Sequence, residues 1–89
     1  MRVIVYTIPN CPKCAATKAV LRRYNVAFEE YDVIEDKGRA KEMVEKRRSV
    51  RPEGSKEVVL PLTDIDGIII EGFERQKIEQ ALREKGLLK

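Results

Sequence analysis

Cys11 and Cys14 are the residues of this chain best suited to chemistry. They are its only two cysteines, separated by Pro12 and Lys13 in the run Cys11-Pro12-Lys13-Cys14. An apolar stretch from Val3 to Ile8 precedes them and reads as a β-strand; Ala15 to Tyr24 follows and reads as a helix. Thiols in that register can lie side by side at the first turn of a helix. There the unpaired backbone N–H groups and the helix dipole favour a thiolate. Such a pair can store and release two electrons by cycling between dithiol and disulfide. Two inert buried thiols would leave the spacing and the flanking elements unexplained. A tetrahedral metal site wants four Cys or His ligands, and the chain has two cysteines and no histidine. Completing such a site, or an iron–sulfur cluster, would take a second chain and added thiolates, so no bound metal is expected.

The elements needed to hold the pair can be read on either side of it. Arg2 to Thr7 is nearly all apolar, as in a central strand covered on both faces. Pro9 and Asn10 break it, and Pro12 suits the first helical position, where a missing N–H costs nothing. The helix presents Cys14, Thr17, Val20, Leu21 and Tyr24 to one side, and Asn25 is a left-handed stop. Ala27 to Val33 reads as a second strand. Asp36 to Arg48 reads as a charged helix with Ala40, Met43 and Val44 to bury, followed by a loop from Ser49 to Lys56. Val58 to Ile65 is a third strand interrupted by Pro61. Asp66-Gly67 marks a hairpin, Ile68 to Ile70 return, and Glu74 to Lys85 form a last helix with Ile78, Ala81 and Leu82 inward and Gly86 as its stop. The order β-α-β-α-β-β-α predicts an α/β fold with a four-stranded mixed sheet and three helices.

Composition narrows the class. With 89 residues the chain is expected to form one domain, residues 1–89. Hydrophobic residues at 43% and charged residues at 37% describe a globular chain and not a disordered tail. No apolar run approaches the roughly 20 residues of a membrane span, and a strand beginning within two residues of Met1 leaves no room for a signal peptide. The expectation is a cytoplasmic, membrane-free monomer. Two cysteines this close cannot staple distant parts of a fold, which again points to chemistry over architecture. The net charge is +3. Its excess lies between Lys37 and Arg51, without interleaved aromatics on which bases could stack, so this region reads as a solvated helix face and basic loop, not a nucleic-acid site.

The element order, with Cys-Pro-Lys-Cys between the first strand and helix, resembles the glutaredoxins and their thioredoxin-fold relatives. Two further landmarks carry the likeness along the chain. Val59-Leu60-Pro61 with Gly67 looks like the family's cis-proline strand and turn, and Glu71-Gly72-Phe73-Glu74 stands in the place of its Gly-Gly-x-Asp segment. The resemblance implies a thiol–disulfide oxidoreductase that reduces protein disulfides. Cys11 would be the exposed nucleophile and Cys14 the inward-facing resolving thiol, with Pro12 stiffening the turn and Lys13 adding positive charge. It also implies a cis peptide at Leu60–Pro61 that exposes the Leu60 backbone to an extended substrate. Gly72 and Phe73 would offer backbone N–H groups to a carboxylate, with Phe73 equally readable as core packing.

The resemblance implies no bound cofactor beyond the Cys11–Cys14 disulfide, its electrons coming from thioredoxin reductase and NADPH or from glutathione. Three departures bear on that choice. Ile8 stands where classical glutaredoxins carry a lysine, Val59 replaces a threonine, and Glu71 replaces a glycine and places negative charge where glutathione would approach. They favour the reductase. The Gly72-Phe73 pair likewise resembles the glutaredoxin-like donors that thioredoxin reductase reduces and that serve ribonucleotide reductase. Tyr6 and Thr7 are expected to pack, and Asp64 and Asp66 to shape their turn.

Overall fold

Five consecutive buried residues, Val3 to Thr7, form the first strand, β1. A run with no exposed position requires cover on both faces of the sheet. In the computed structural model, which describes residues 2–50 and 60–87, that cover comes from three helices. The elements are β1 (Val3–Thr7), α1 (Pro12–Arg23), β2 (Glu29–Asp32), α2 (Lys37–Val50), β3 (Leu62–Ile65), β4 (Ile68–Glu71) and α3 (Arg75–Glu84). The sheet order is β2-β1-β3-β4. β1 runs parallel to β2 and antiparallel to β3, and β3 and β4 form the hairpin. The four-stranded mixed sheet and three helices are those expected from the sequence.

Side chains alternate across the sheet with the period of a strand. Val3 and Val5 join Val20 and Leu21 of α1 and Ile78, Ala81 and Leu82 of α3 in one apolar cluster. Ile4 and Tyr6 point the other way and meet Leu62, Val33 and Met43 of α2. α1 buries Cys14, Thr17, Val20 and Leu21, a stripe at helical spacing. It stops where Asn25 turns left-handed (φ 57°), which lets Val26 N–H return to the Leu21 carbonyl at 2.9 Å. At the β3–β4 turn both Asp66 (φ 47°) and Gly67 (φ 99°) are left-handed, the backbone demanded by a tight hairpin and the reason a glycine stands there.

The ends of several elements differ from the sequence reading. β2 covers Glu29–Asp32 and not Ala27–Val33, because its pairing with β1 begins at Ile4 opposite Glu29. Phe28 packs instead against the α1/α3 cluster, under the Arg22 guanidinium at 5.6 Å. α2 continues through Ser49, whose hydroxyl donates to the Lys46 carbonyl at 2.6 Å. β3 begins only after Pro61; Val58, Val59 and most of the expected loop lie outside the described residues.

Charge on α2 is also handled differently. Arg47 does not lie on a solvated face: it is 5% exposed, with Nε 3.5 Å from a Glu71 oxygen. Glu71 is therefore partnered by a buried cation and is not an open negative charge at the surface. Lys46 bridges Asp64 at 2.7 Å and donates to the Tyr6 hydroxyl at 2.6 Å. Tyr6 and Asp64 thus hold polar partners beyond the packing and turn-shaping expected of them.

Candidate thiol site

Between β1 and α1 the chain must turn sharply, and Asn10 supplies the turn with a left-handed backbone (φ 57°). Cys11 follows as the helix N-cap in extended conformation (φ −108°, ψ 107°), with Pro12 in the first turn. The Cys14 N–H donates to Cys11 Sγ at 3.1 Å. Cys11 sulfur therefore takes the capping place that a serine or aspartate oxygen usually fills. An N–H aimed at sulfur from a helix N-terminus is a donor suited to a thiolate. The first turn of α1 carries no acidic residue to oppose such a charge.

The two thiols sit in unlike surroundings. Both are free, Cys11 half-buried and Cys14 only 2% exposed. Burial, followed by the hydrogen bond with Cys11, pushes the Cys14 thiol up to about 11; the Ile8 backbone and the charge of Lys18 act the other way. One sulfur is thus reachable and capped by a donor, the other dry and protonated.

Both line a cleft of about 720 Å³ together with Ile8, Lys18, Glu30 and Asp32. Across it, Lys18 Nζ meets Glu30 Oε2 at 2.7 Å, and the Thr7 hydroxyl donates to the same carboxylate oxygen at 3.2 Å. The hydrogen bond from Lys18 holds the Glu30 carboxyl below the usual carboxylate range. Asp32 is occupied in accepting the Ile34 and Glu35 N–H groups at 2.8 and 3.3 Å.

Pro12, in this cleft, and Lys13 are exposed around the motif. Leu60, Pro61, Gly72 and Phe73 are not among the residues that line the cleft. The Leu60–Pro61 peptide is cis. The Pro61 carbonyl accepts the Gly72 N–H at 2.8 Å, with Gly72 at φ 80°. That N–H, expected to face a ligand, is committed within the fold. Phe73 packs against the α1/α3 cluster. Lys18 and Glu30 were not singled out by sequence, although signals existed. Lys18 lies four positions after Cys14 and so on the same helix face; Glu30 lies in a strand parallel to β1, whose end leads into the thiol loop. Among the described residues no group of three or more Cys, Asp or Glu side chains is arranged to hold a metal ion.

Residues 3–53 match the family model described as Glutaredoxin. A glutaredoxin-like 8.6 kDa protein of the rubredoxin operon in Clostridium pasteurianum is 35% identical over 78 residues, 88% of this chain and 93% of that one. The chain belongs to the glutaredoxin family. Glutaredoxin 1 of Rickettsia conorii is 39% identical over 72 residues, which are 81% of this chain and 65% of that protein. Among solved structures, the glutaredoxin of Methanosarcina mazei superposes with a TM-score of 0.71 at 31% identity, covering 91% of this chain and 77% of that one. The glutaredoxin-like NrdH-redoxin of Escherichia coli, described as having a thioredoxin-like activity profile, gives a TM-score of 0.70 at 25% identity, with 90% and 93% covered. The fold is the glutaredoxin-like thioredoxin fold, and thiol–disulfide chemistry is the activity that the family suggests. No helix among the described residues is long and apolar enough to cross a membrane.

Proposed function

We propose that this glutaredoxin-family protein is a thiol–disulfide oxidoreductase that reduces disulfides in other proteins. The observation carrying this reading is the pairing of a half-buried Cys11 sulfur, capped by the Cys14 N–H at 3.1 Å, with a buried Cys14 behind it. The Cys11 thiolate attacks one sulfur of a substrate disulfide. The substrate S–S bond breaks, a mixed disulfide forms at Cys11, and the departing sulfur takes a proton from water. Cys14 then gives its proton to water and attacks Cys11 Sγ. The Cys11–Cys14 bond forms, the mixed disulfide breaks, and the second substrate thiolate is released and protonated. Two electrons have passed to the substrate, and an external reductant must return them.

For that reductant we favour a thioredoxin reductase carrying NADPH electrons over glutathione. Ile8 makes an apolar wall in the thiol cleft, Glu30 and Asp32 bring carboxylates to it, and Lys18 is already paired. An anionic tripeptide gains little there. The thioredoxin-like profile of the structurally similar NrdH-redoxin points the same way. Glu71 does not help to choose, since Arg47 partners it. A reducing compartment such as the cytoplasm suits this reading.

Insulin reduction with dithiothreitol tests the chemistry: Cys11→Ser should abolish turnover, and undiminished activity in that variant would remove the proposal. Coupled NADPH oxidation, run once with thioredoxin reductase and once with glutathione plus its reductase, tests the donor. Faster turnover in the glutathione system would reverse the preference.

A further inference from the structure

The resolving step poses a physical difficulty that the site has to meet. Cys14 is sealed by burial, and burial favours the neutral thiol, which is a poor nucleophile. Once a substrate occupies Cys11, the Cys11 sulfur carries no charge and Cys14 must ionise in place. The titratable or charged groups around it in the cleft are few. Cys11 and Lys18 come from the α1 side, Glu30 and Asp32 from β2; β1 contributes the uncharged Thr7, and the loop before the motif contributes Ile8, Pro9 and Asn10. Among the described residues, Lys18 is the one cation lining the cleft.

Its placement is defined from both sides. Along α1 it follows Cys14 by one turn, so the two side chains occupy the same helix face. Across the cleft, Glu30 holds its ammonium at 2.7 Å, and Thr7 fixes the same Glu30 oxygen at 3.2 Å. An unrestrained lysine would extend into solvent, where screening would remove most of its effect on a buried sulfur. A tethered one stays in the cleft wall. Glu30 weakens the positive field, but it reaches Lys18 from the neighbouring strand. The cationic end of the pair is the end carried on the helix of Cys14, and the charge of Lys18 favours an ionised Cys14.

We propose that Lys18, tethered by Glu30, is a positioning residue for the second half-reaction, favouring the Cys14 thiolate that attacks the mixed disulfide. Lys18 makes and breaks no bond. The Cys14 proton leaves to water, and the sulfur–sulfur exchange is the one described above. This inference rests on reading Cys14 as the resolving thiol.

The test is a rapid acid-quench experiment with the reduced full chain and a disulfide-containing protein substrate, following the mixed disulfide by intact mass across pH. Lys18→Met keeps the aliphatic stem and removes the charge. Resolution should slow severalfold near neutral pH, its pH profile moving to higher pH. Alkylation of Cys11 by iodoacetamide should proceed at the parent rate, and Lys18→Arg should restore most of the resolving rate. If Lys18→Met resolves its mixed disulfide at the parent rate with an unshifted profile, the inference is overturned. So it is if Lys18→Arg is as slow as Lys18→Met, because then charge is not what matters. A parent protein that forms no mixed disulfide at Cys11 at all would overturn instead the functional reading beneath it.

Discussion

Across one face of the sheet, Val3, Val5, Ile65 and Ile70 meet Val20, Leu21, Ile78 and Leu82 through apolar surface. Across the other, among the described residues, Ile4, Tyr6 and Leu62 meet Val33 and Met43 in a smaller buried cluster, and charge adds to the seal. Tyr6 donates its hydroxyl proton to Glu42 and accepts from Lys46; Lys46 bridges Asp64; Arg39 pairs with Glu42 and lies 3.9 Å over the Tyr31 ring. The first face is held mainly by non-directional burial, with Tyr24 donating to Glu79 at its edge, and the second by directional contacts in which each member fixes the next. The thiol site belongs to the first. Cys14 shares the buried stripe of α1 with Thr17, Val20 and Leu21, so the packing that stabilises the fold also keeps that sulfur dry. The charged face does no such thing for the cysteines, and its groups lie apart from their cleft.

If the contrast holds, the largest loss should come from the apolar face. Leu82 is fully buried, and Leu82→Ala should cost about 2–5 kcal/mol through lost burial and the remaining cavity. Urea denaturation would read this as a lower midpoint with little change in slope. Tyr6→Phe probes the other face with almost no change of volume. It removes one hydroxyl from between Glu42 and Lys46, whose side chains are 34% and 23% exposed and keep Arg39 and Asp64 as partners. A loss of about 1–2 kcal/mol is expected. A Tyr6→Phe loss exceeding that of Leu82→Ala would break the comparison.

The same contrast explains what could be read from sequence. Apolar periodicity reports burial directly, so β1, the inward stripe of α1 and the Ile78-Ala81-Leu82 face of α3 were all legible. Asp66-Gly67 was legible because left-handed backbone selects its residues. The thiol pair announced itself by spacing and by Pro12. The charged face left no such pattern: Arg47 looked like its solvated neighbours, because its partner Glu71 comes from β4 and only the fold brings them together. Lys46 with Asp64, and Lys18 with Glu30, were hidden for the same reason. Strand ends were blurred because pairing partners set them: Phe28 is as apolar as any strand residue, yet the register with β1 starts one residue later, at Glu29.

Alkali offers the finest separation of the two faces. Burial raises the Cys14 thiol from 9.0 to about 11 and the Tyr6 phenol from 10.0 to about 12. In each case the fold prefers the neutral group. The associated stability is fully present below the unfolded value and is lost as pH climbs towards the folded one. The loss tied to the apolar face should therefore begin near pH 9, and that tied to the charged face about one unit higher. At pH 9.5 the Cys14 contribution to the loss amounts to under about 1 kcal/mol. Urea midpoints measured from about pH 8 to about pH 11 with a phosphine reductant present would resolve it. Cys14→Ala should be less stable than the parent at every pH yet flatter between pH 9 and 10, whereas Tyr6→Phe should follow the parent slope there and flatten only above it. Parallel curves for Cys14→Ala and the parent would mean that the resolving thiol is not held neutral by burial, and the link between the dry face and the redox pair would be lost.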